Sequence, residues 1–97
     1  MATINKRINI GKRHIDAIAV RLLQQSLIVL KGSKGYVMCG YLNLKIAEKF
    51  KDAAIKIVGV SSIEEALGSK VYALTSAARK LGVRKGQAVK EVLKIIA

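Results

Sequence analysis

The chain has 97 residues, 52% of them apolar, which predicts one folded domain over residues 1–97 and excludes a disordered protein. Its 18 Lys and Arg residues against 6 Asp and Glu give a formal charge of +12, a field that attracts anionic ligands and polyanions. The single cysteine excludes an internal disulfide. Since we recognise neither a secretory leader nor an apolar run long enough to span a bilayer, we expect a cytoplasmic protein without membrane insertion.

Four segments in the first forty residues predict strands. Residues 4–10 alternate weakly and indicate an edge strand, and residues 15–23 are rich in Ile, Ala, Val and Leu. Residues 27–30 are four consecutive apolar residues, which is typical of a strand buried on both faces. The sequence Gly32-Ser33-Lys34-Gly35 then predicts a hairpin turn whose glycines adopt positive φ, so that residues 36–40 form the returning strand.

This hairpin has two apolar faces. A tight register places Leu30 opposite Val37 and Ile28 opposite Cys39, so these four residues share one face. The opposite face is also apolar, with Leu27, Val29, Tyr36 and Met38. Two apolar faces in a small domain predict helices on one side and a second subunit on the other, so we expect a homo-oligomer.

Beyond Gly40 the hydrophobic period becomes helical. The following four residues form one apolar stripe of a predicted helix that Asn43 caps: Ile46, Ala47, Phe50 and Ala54. Residues 55–60 then return to a strand, and a right-handed crossover would place it parallel to residues 36–40.

The last third of the chain is predicted to be helical. A capping box, Ser61 with Glu64 or Ser62 with Glu65, starts a short helix. Residues 71–81 predict a second helix that ends at Gly82. A third helix carries Val89, Val92, Leu93 and Ile96 on one face. The predicted fold class is α+β, a single two-layer domain whose mostly antiparallel sheet has four or five strands, with three or four helices and one strand-helix-strand crossover.

The string Gly35-Tyr36-Val37-Met38-Cys39-Gly40, followed by Leu42-Asn43, resembles the YunC-like family of small uncharacterised archaeal and bacterial proteins. The motif positions are Gly35, Tyr36, Met38, Gly40 and Asn43, and Asn43 stands where the family typically has aspartate. Asparagine can cap a helix as aspartate does, but it cannot supply a carboxylate at this position. The resemblance implies a small α+β domain and no established activity.

Cys39 is the first candidate site residue, and two interpretations stand. It is either a small buried hydrophobe or a reactive thiol near a helix N-terminus, with Arg21 on the same face. The only histidine, His14, is expected about seven residues along its strand, roughly 23 Å away, so a Cys-His dyad would need a second subunit. We recognise no metal site and no cofactor motif.

A basic turn is the second candidate. Arg79-Lys80 and Arg84-Lys85 flank Gly82 before the last helix, where backbone N–H groups and cations could hold a phosphate or a carboxylate. The alternative is that Arg79 and Lys80 only complement the C-terminus of the preceding helix. No RNA-binding motif is recognised, so any nucleic-acid binding should be weak, non-specific and steeply salt-dependent.

These features favour a non-catalytic binding or assembly module with a basic surface for an anionic ligand or partner. The candidate ligand-binding residues are Cys39, Arg21, Arg79, Arg84 and Lys85. One alternative is a cysteine-dependent enzyme centred on Cys39, and the other is a weak non-specific nucleic-acid binder. Because no catalytic constellation is recognised, whether the protein is an enzyme stays open.

Overall fold

The strands of the sheet lie in the same order as they occur in the chain. The structure is a computed structural model that describes residues 3–97, so the first two residues of the predicted domain lie outside the described part. Its elements are β1 (Thr3–Ile10), β2 (Arg13–Arg21), β3 (Ser26–Lys31), β4 (Tyr36–Met38), α1 (Leu44–Lys49), β5 (Ala54–Lys56), α2 (Ile63–Leu67), β6 (Ala73–Leu74), α3 (Ser76–Lys80) and α4 (Val89–Ile96). Neighbouring strands are antiparallel except β4 and β5. Residues 3–97 thus form a mostly antiparallel six-stranded sheet with four helices, where four or five strands were predicted.

The predicted hairpin register is confirmed. Leu30 lies opposite Val37, and the backbone N–H of Cys39 donates to the carbonyl oxygen of Ile28 at 3.1 Å. The predicted crossover is also confirmed, because β5 pairs in parallel with β4. The turn between β2 and β3 is wider than a tight turn, so that Arg21 pairs with Ser26 and Ile28 pairs with Ala19.

One face of the sheet, which we call the inner face, carries the main core. Strand residues of this face, such as Ile28, Leu30 and Ile55, are fully buried. Helices α2, α3 and α4 contribute residues to the same cluster. The four predicted apolar residues of α4 are all buried, so that prediction is confirmed. Since α4 has only eight residues and is the longest helix, no helix within residues 3–97 could cross a membrane.

Helix α1 packs on the opposite, outer face. Its side chain Ala47 is buried in a small second cluster with Leu42 and Ala54. The prediction that Ile46 and Phe50 pack on the sheet is wrong, since they are 54% and 69% exposed. The helix has only six residues and packs on the outer face through Ala47 and the partly buried Leu44, so Ile46 and Phe50 project past that contact.

The predicted helix over residues 71–81 is wrong at its start. Tyr72 N–H donates to the Lys56 carbonyl at 2.9 Å and Thr75 N–H to the Ala54 carbonyl at 3.0 Å, which pairs this segment with β5. Helix α3 begins only at Ser76, where the Thr75 side chain accepts from the N–H of Ala78. Sheet hydrogen bonds therefore prevail over an apolar spacing that fitted a helix.

The glycines of the β3–β4 turn are needed for a different reason from the one predicted. Neither has a positive φ. A Cβ atom at Gly32 would overlap the carbonyl oxygen of Ile96, and one at Gly35 would lie 2.5 Å from the carbonyl oxygen of Ala53. The turn thus brings α4 and the start of β5 against its backbone. Gly82, by contrast, has the predicted left-handed conformation, with φ of 104°.

Candidate functional site

The Cys39 thiol lies at one end of the sheet, directly after β4. Its Sγ accepts a hydrogen bond from the N–H of Ile28 at 3.4 Å, and the thiol donates to the Ser26 carbonyl oxygen at 3.7 Å. Cys39 is only 3% exposed, but it borders a cavity of about 330 Å³ that we call the thiol cavity. The cavity is lined by Gln25, Ser26, Cys39, Gly40, Tyr41, Gly59 and Val60. It lies beyond the carboxyl ends of the parallel strands β4 and β5, where open α/β sheets bind ligands.

Arg21 lies close to the thiol cavity. It is on the inner face like Cys39, and it lines two adjoining cavities that share Ser26 and Tyr41 with the thiol cavity. Among the hydrogen bonds of residues 3–97, none joins Arg21 to Cys39. The structure therefore places Arg21 next to the cavity without bonding it to the sulfur.

The N-terminus of α1 and the Cys39 thiol belong to different faces of the sheet. As predicted, Asn43 caps this helix, and its Oδ1 accepts from the N–H groups of Lys45 and Ile46 at 3.0 and 3.3 Å. These donors are therefore occupied, and α1 packs on the outer face whereas the Cys39 side chain belongs to the inner core. The sheet thus separates the sulfur from the helix.

His14 is also remote from Cys39. It pairs with Asn9 on the outer face, five positions along β2 from Ala19, which lies level with Ile28 and Cys39. At the strand rise this is roughly 17 Å along the sheet, shorter than the expected separation but on the other face. The geometry provides no Cys-His dyad within one subunit.

A second cavity lies at the opposite end of β2 and β3. This basic cavity has a volume of about 440 Å³ and is lined by Lys12, Arg13, His14, Asp16, Lys31, Gly32, Ser33 and Ala97. Arg13 Nη1 and Ser33 Oγ donate to the Ala97 carbonyl oxygen at 3.4 and 3.2 Å. Those two donors hold the end of α4 in place, and Lys12, His14 and Lys31 are the other basic residues of the lining.

Sequence reasoning missed this cavity although it singled out both turns. The basic turn at Gly11–Arg13 and the turn at Gly32–Gly35 looked independent because eighteen or more positions separate them. The antiparallel pairing of Asp16 with Lys31 brings them together at one end of the sheet. The alternating apolar patterns of the two strands fix the face of each residue but not the register between the strands, so they did not show that the two turns meet.

The predicted anion site around Gly82 lies apart from both of these cavities. Arg79 lies in the last turn of α3, and Arg84 and Lys85 are exposed in the next turn, where Arg84 N–H donates to Gln87 Oε1 at 3.0 Å. None of these three cations lines the thiol cavity or the basic cavity. Arg79 lies where it complements the C-terminus of α3, which was the alternative interpretation.

Two carboxylates and one phenol form hydrogen bonds with neighbouring groups that shift their pKa. Hydrogen bonds from the Ser76 hydroxyl and N–H lower the pKa of Glu48, and those from Ser61 lower the pKa of Glu65. Partial burial, together with its hydrogen bond to Asp52 at 3.1 Å, raises the pKa of Tyr36. Within residues 3–97, no three His, Cys, Asp or Glu side chains are grouped closely enough to hold a metal ion.

A family model described as a domain of unknown function (DUF1805) matches residues 38–96. The chain belongs to this family. It is 32% identical over 81 residues to the uncharacterized protein YunC of Bacillus subtilis, covering 79% of the chain and 80% of that protein. The crystal structure of TA1206, a protein of unknown function from Thermoplasma acidophilum, superposes with a TM-score of 0.94 at 31% identity, over 99% of this chain and 94% of that one. The predicted YunC-like resemblance is confirmed.

The range that the family model matches covers the linings of the two cavities to different extents. The matched range includes Cys39, Gly40, Tyr41, Gly59 and Val60 of the thiol cavity. It begins after Lys31 and Ser33, so apart from Ala97, which lies just past its end, the basic cavity is lined by residues that precede it. Both relatives are proteins of unknown function, so an activity has to be argued from the site.

Proposed function

We propose that the protein is a non-catalytic binding module that holds a small anionic ligand in the basic cavity. The observation that carries this proposal is the convergence of Lys12, His14 and Lys31 on one cavity of about 440 Å³. Ligand pockets in proteins span roughly 300 to 1,000 Å³, so the cavity has room for a small molecule. Several donors that face one concave space distinguish a binding site from a basic surface that is only solvated.

The charge of the lining favours a compact ligand with one or two negative charges. Lys12, Arg13 and Lys31 bring three cations, and Asp16 brings one opposing carboxylate. The His14 imidazole adds a further donor for a carboxylate or a phosphate monoester, whereas the Ser33 hydroxyl already donates to Ala97. The formal charge of +12 would steer such anions towards the protein and make their association rate salt-dependent.

Calorimetric titration with inorganic phosphate and with citrate tests this proposal. The double variant Lys12→Gln/Lys31→Gln should lose at least about tenfold in affinity, because two converging charges are removed. The control is Arg84→Gln/Lys85→Gln, which removes the same charge from the turn near Gly82. It should change the affinity by less than about threefold.

The other outcomes are equally informative. A larger loss in the control would move the anion site to the turn near Gly82. Equal losses would mean that the ligand responds only to overall charge, which is the behaviour of the non-specific nucleic-acid alternative. Either outcome contradicts a site in the basic cavity.

A second candidate function is cysteine chemistry in the thiol cavity. It is favoured by the position of Cys39 on a cavity beyond the carboxyl ends of two parallel strands. Alkylation of the native protein with iodoacetamide below neutral pH, compared with the same protein unfolded in denaturant, tests it. Native labelling faster than in the unfolded chain would support an activated thiol. Labelling only after unfolding would leave Cys39 as a buried structural residue.

A further inference from the structure

A groove lies at the turn between β2 and β3, beside the thiol cavity. It has a volume of about 780 Å³ and is lined by Arg21, Leu22, Leu23, Gln24 and Tyr41. Tyr41 lines both the groove and the thiol cavity, so the two spaces meet at this residue, and we call them together the turn cleft. The turn cleft lies at the opposite end of β2 and β3 from the basic cavity.

The lining of the turn cleft is uncharged apart from one residue. The groove has five lining residues and the thiol cavity seven, with Tyr41 in both, and Arg21 is the one charged residue among these eleven. Charged residues make up 25% of the chain, so a surface of this size would ordinarily carry more than one. A mostly uncharged lining with a single cation is suited to an apolar ligand that carries one negative charge.

Large apolar side chains face solvent at the groove. Leu23 is 94% exposed, more than any other large apolar residue within residues 3–97, and Tyr41 is 51% exposed. The N–H of Leu22 donates to the carbonyl oxygen of Gln25 at 2.8 Å, so the turn that carries the two leucines is held by its own backbone. A ligand chain that covers these side chains removes apolar surface from water, which favours binding.

Arg21 supplies the charge of the turn cleft, and no carboxylate of the described residues neutralises it. Within residues 3–97 the ion pairs are Lys6 with Glu64 and Lys94 with Glu91. Glu64 lines a neighbouring cavity together with Arg21, but its carboxylate lies 3.7 Å from the Nζ of Lys6. That pair cancels its own charge, so Arg21 leaves one net positive charge beside the groove. A guanidinium of this kind matches the planar geometry of a carboxylate.

We propose that the turn cleft binds an apolar monocarboxylic acid, of which a medium-chain fatty acid is the simplest example. The carboxylate would pair with Arg21, and the apolar chain would lie over Leu22 and Leu23 towards Tyr41 and the thiol cavity. A ligand with several negative charges would meet one net charge here, whereas three cations line the basic cavity. This inference goes beyond the proposed function and does not depend on it, because the two sites lie at opposite ends of β2 and β3.

Calorimetric titration of the wild-type protein with octanoate and with octanamide tests the role of the charge. The two probes have the same chain and differ in the head group. Octanoate should bind about three- to tenfold more tightly, because only the carboxylate forms an ion pair with Arg21. Arg21→Gln should abolish this preference. Arg7→Gln removes the same charge from β1, outside the lining of the turn cleft, and should retain it.

Equal affinities of the wild type for the two probes would overturn the proposal. A preference for octanoate that survives in Arg21→Gln would also overturn it, since the overall charge of +12 would then account for the difference. Binding of inorganic phosphate or citrate without any binding of octanoate would contradict this inference and leave the proposed function standing.

The length of the ligand chain tests the apolar part of the turn cleft. The affinity should rise about two- to fourfold for each methylene group added between hexanoate and octanoate. Leu23→Ser should weaken octanoate binding by about threefold or more, and it should not disturb folding because Leu23 is 94% exposed. Phe50→Ser removes another exposed apolar side chain, on the outer face, and should leave the affinity unchanged. An affinity independent of chain length, or equal losses in the two variants, would contradict the turn cleft as the site.

Discussion

The two faces of the sheet are built from the same apolar residue types and end up in different environments. Along β3, Ile28 and Leu30 are fully buried on the inner face, while Val29 between them is only partly buried on the outer face. Three helices cover the inner face, and the six-residue α1 covers part of the outer one. Burial here is decided by which helices reach a face. The inner face should therefore supply most of the stability, and the outer face should contribute less.

The largest expected effect comes from truncating one isoleucine on each face. Ile28→Ala should lower the free energy of unfolding by about 2 to 5 kcal/mol, since it opens a cavity in the closed core. Ile18→Ala on the outer face should cost about 1 kcal/mol or less, because its side chain is already partly hydrated. Urea denaturation of both variants at one dilute protein concentration measures the difference.

Similar losses in the two variants would contradict this contrast between the faces.

An intermediate effect is expected at the turn where α4 closes the inner face. Gly32→Ala should destabilise the protein by about 1 to 3 kcal/mol, because the new methyl group would overlap the Ile96 carbonyl oxygen and push α4 away. Gly40→Ala is the matched control, since nothing lies within 4 Å of its Cβ position and its φ is not positive. Thermal unfolding followed by circular dichroism compares the two, and equal melting temperatures would show that α4 tolerates the shift.

The smallest effect concerns the anchor of α1 on the outer face. Hydrogen bonds from Ser76 lower the pKa of Glu48 in the folded protein, so its contribution to stability is present above its unfolded pKa of 4.5. That contribution is lost as the pH falls through the lower folded pKa. Glu48→Gln should therefore melt slightly below the wild type at neutral pH and level with it at about pH 2 to 3. A difference that persists in acid would mean that the amide disturbs the packing instead.

The parts of the fold that could be predicted depend on local patterns. The β3–β4 register, the parallel crossover and the buried face of α4 follow from hydrophobic period and turn spacing. Strand β6 was missed because its two residues are too few to establish a period. The exposure of Phe50 could not be predicted either, since it depends on how Glu48 meets Ser76, twenty-eight positions away.

The candidate sites, too, could be predicted only where a local sequence pattern determines them. Cys39 was placed on the same face as Ile28 because alternate residues of a strand share a face, and in the structure both belong to the inner core. The grouping of cations did not follow, because Lys12 and Lys31 meet only through the register of β2 with β3. The sequence singles out charged turns, while the sheet decides which of them become neighbours.

The strand order has a consequence for how the chain folds during synthesis. Each strand pairs with the one made just before it, so the sheet can grow in step with translation from β1 to β6. Helix α4 follows strands β1 to β6 in the sequence, yet its carbonyl at Ile96 accepts the N–H of Lys34 in the β3–β4 turn. Until α4 leaves the ribosome, its share of the inner face stays uncovered, although α2 and α3 have already been made. Docking of α4 therefore completes the inner core and ends the exposure of that face to aggregation and to chaperones.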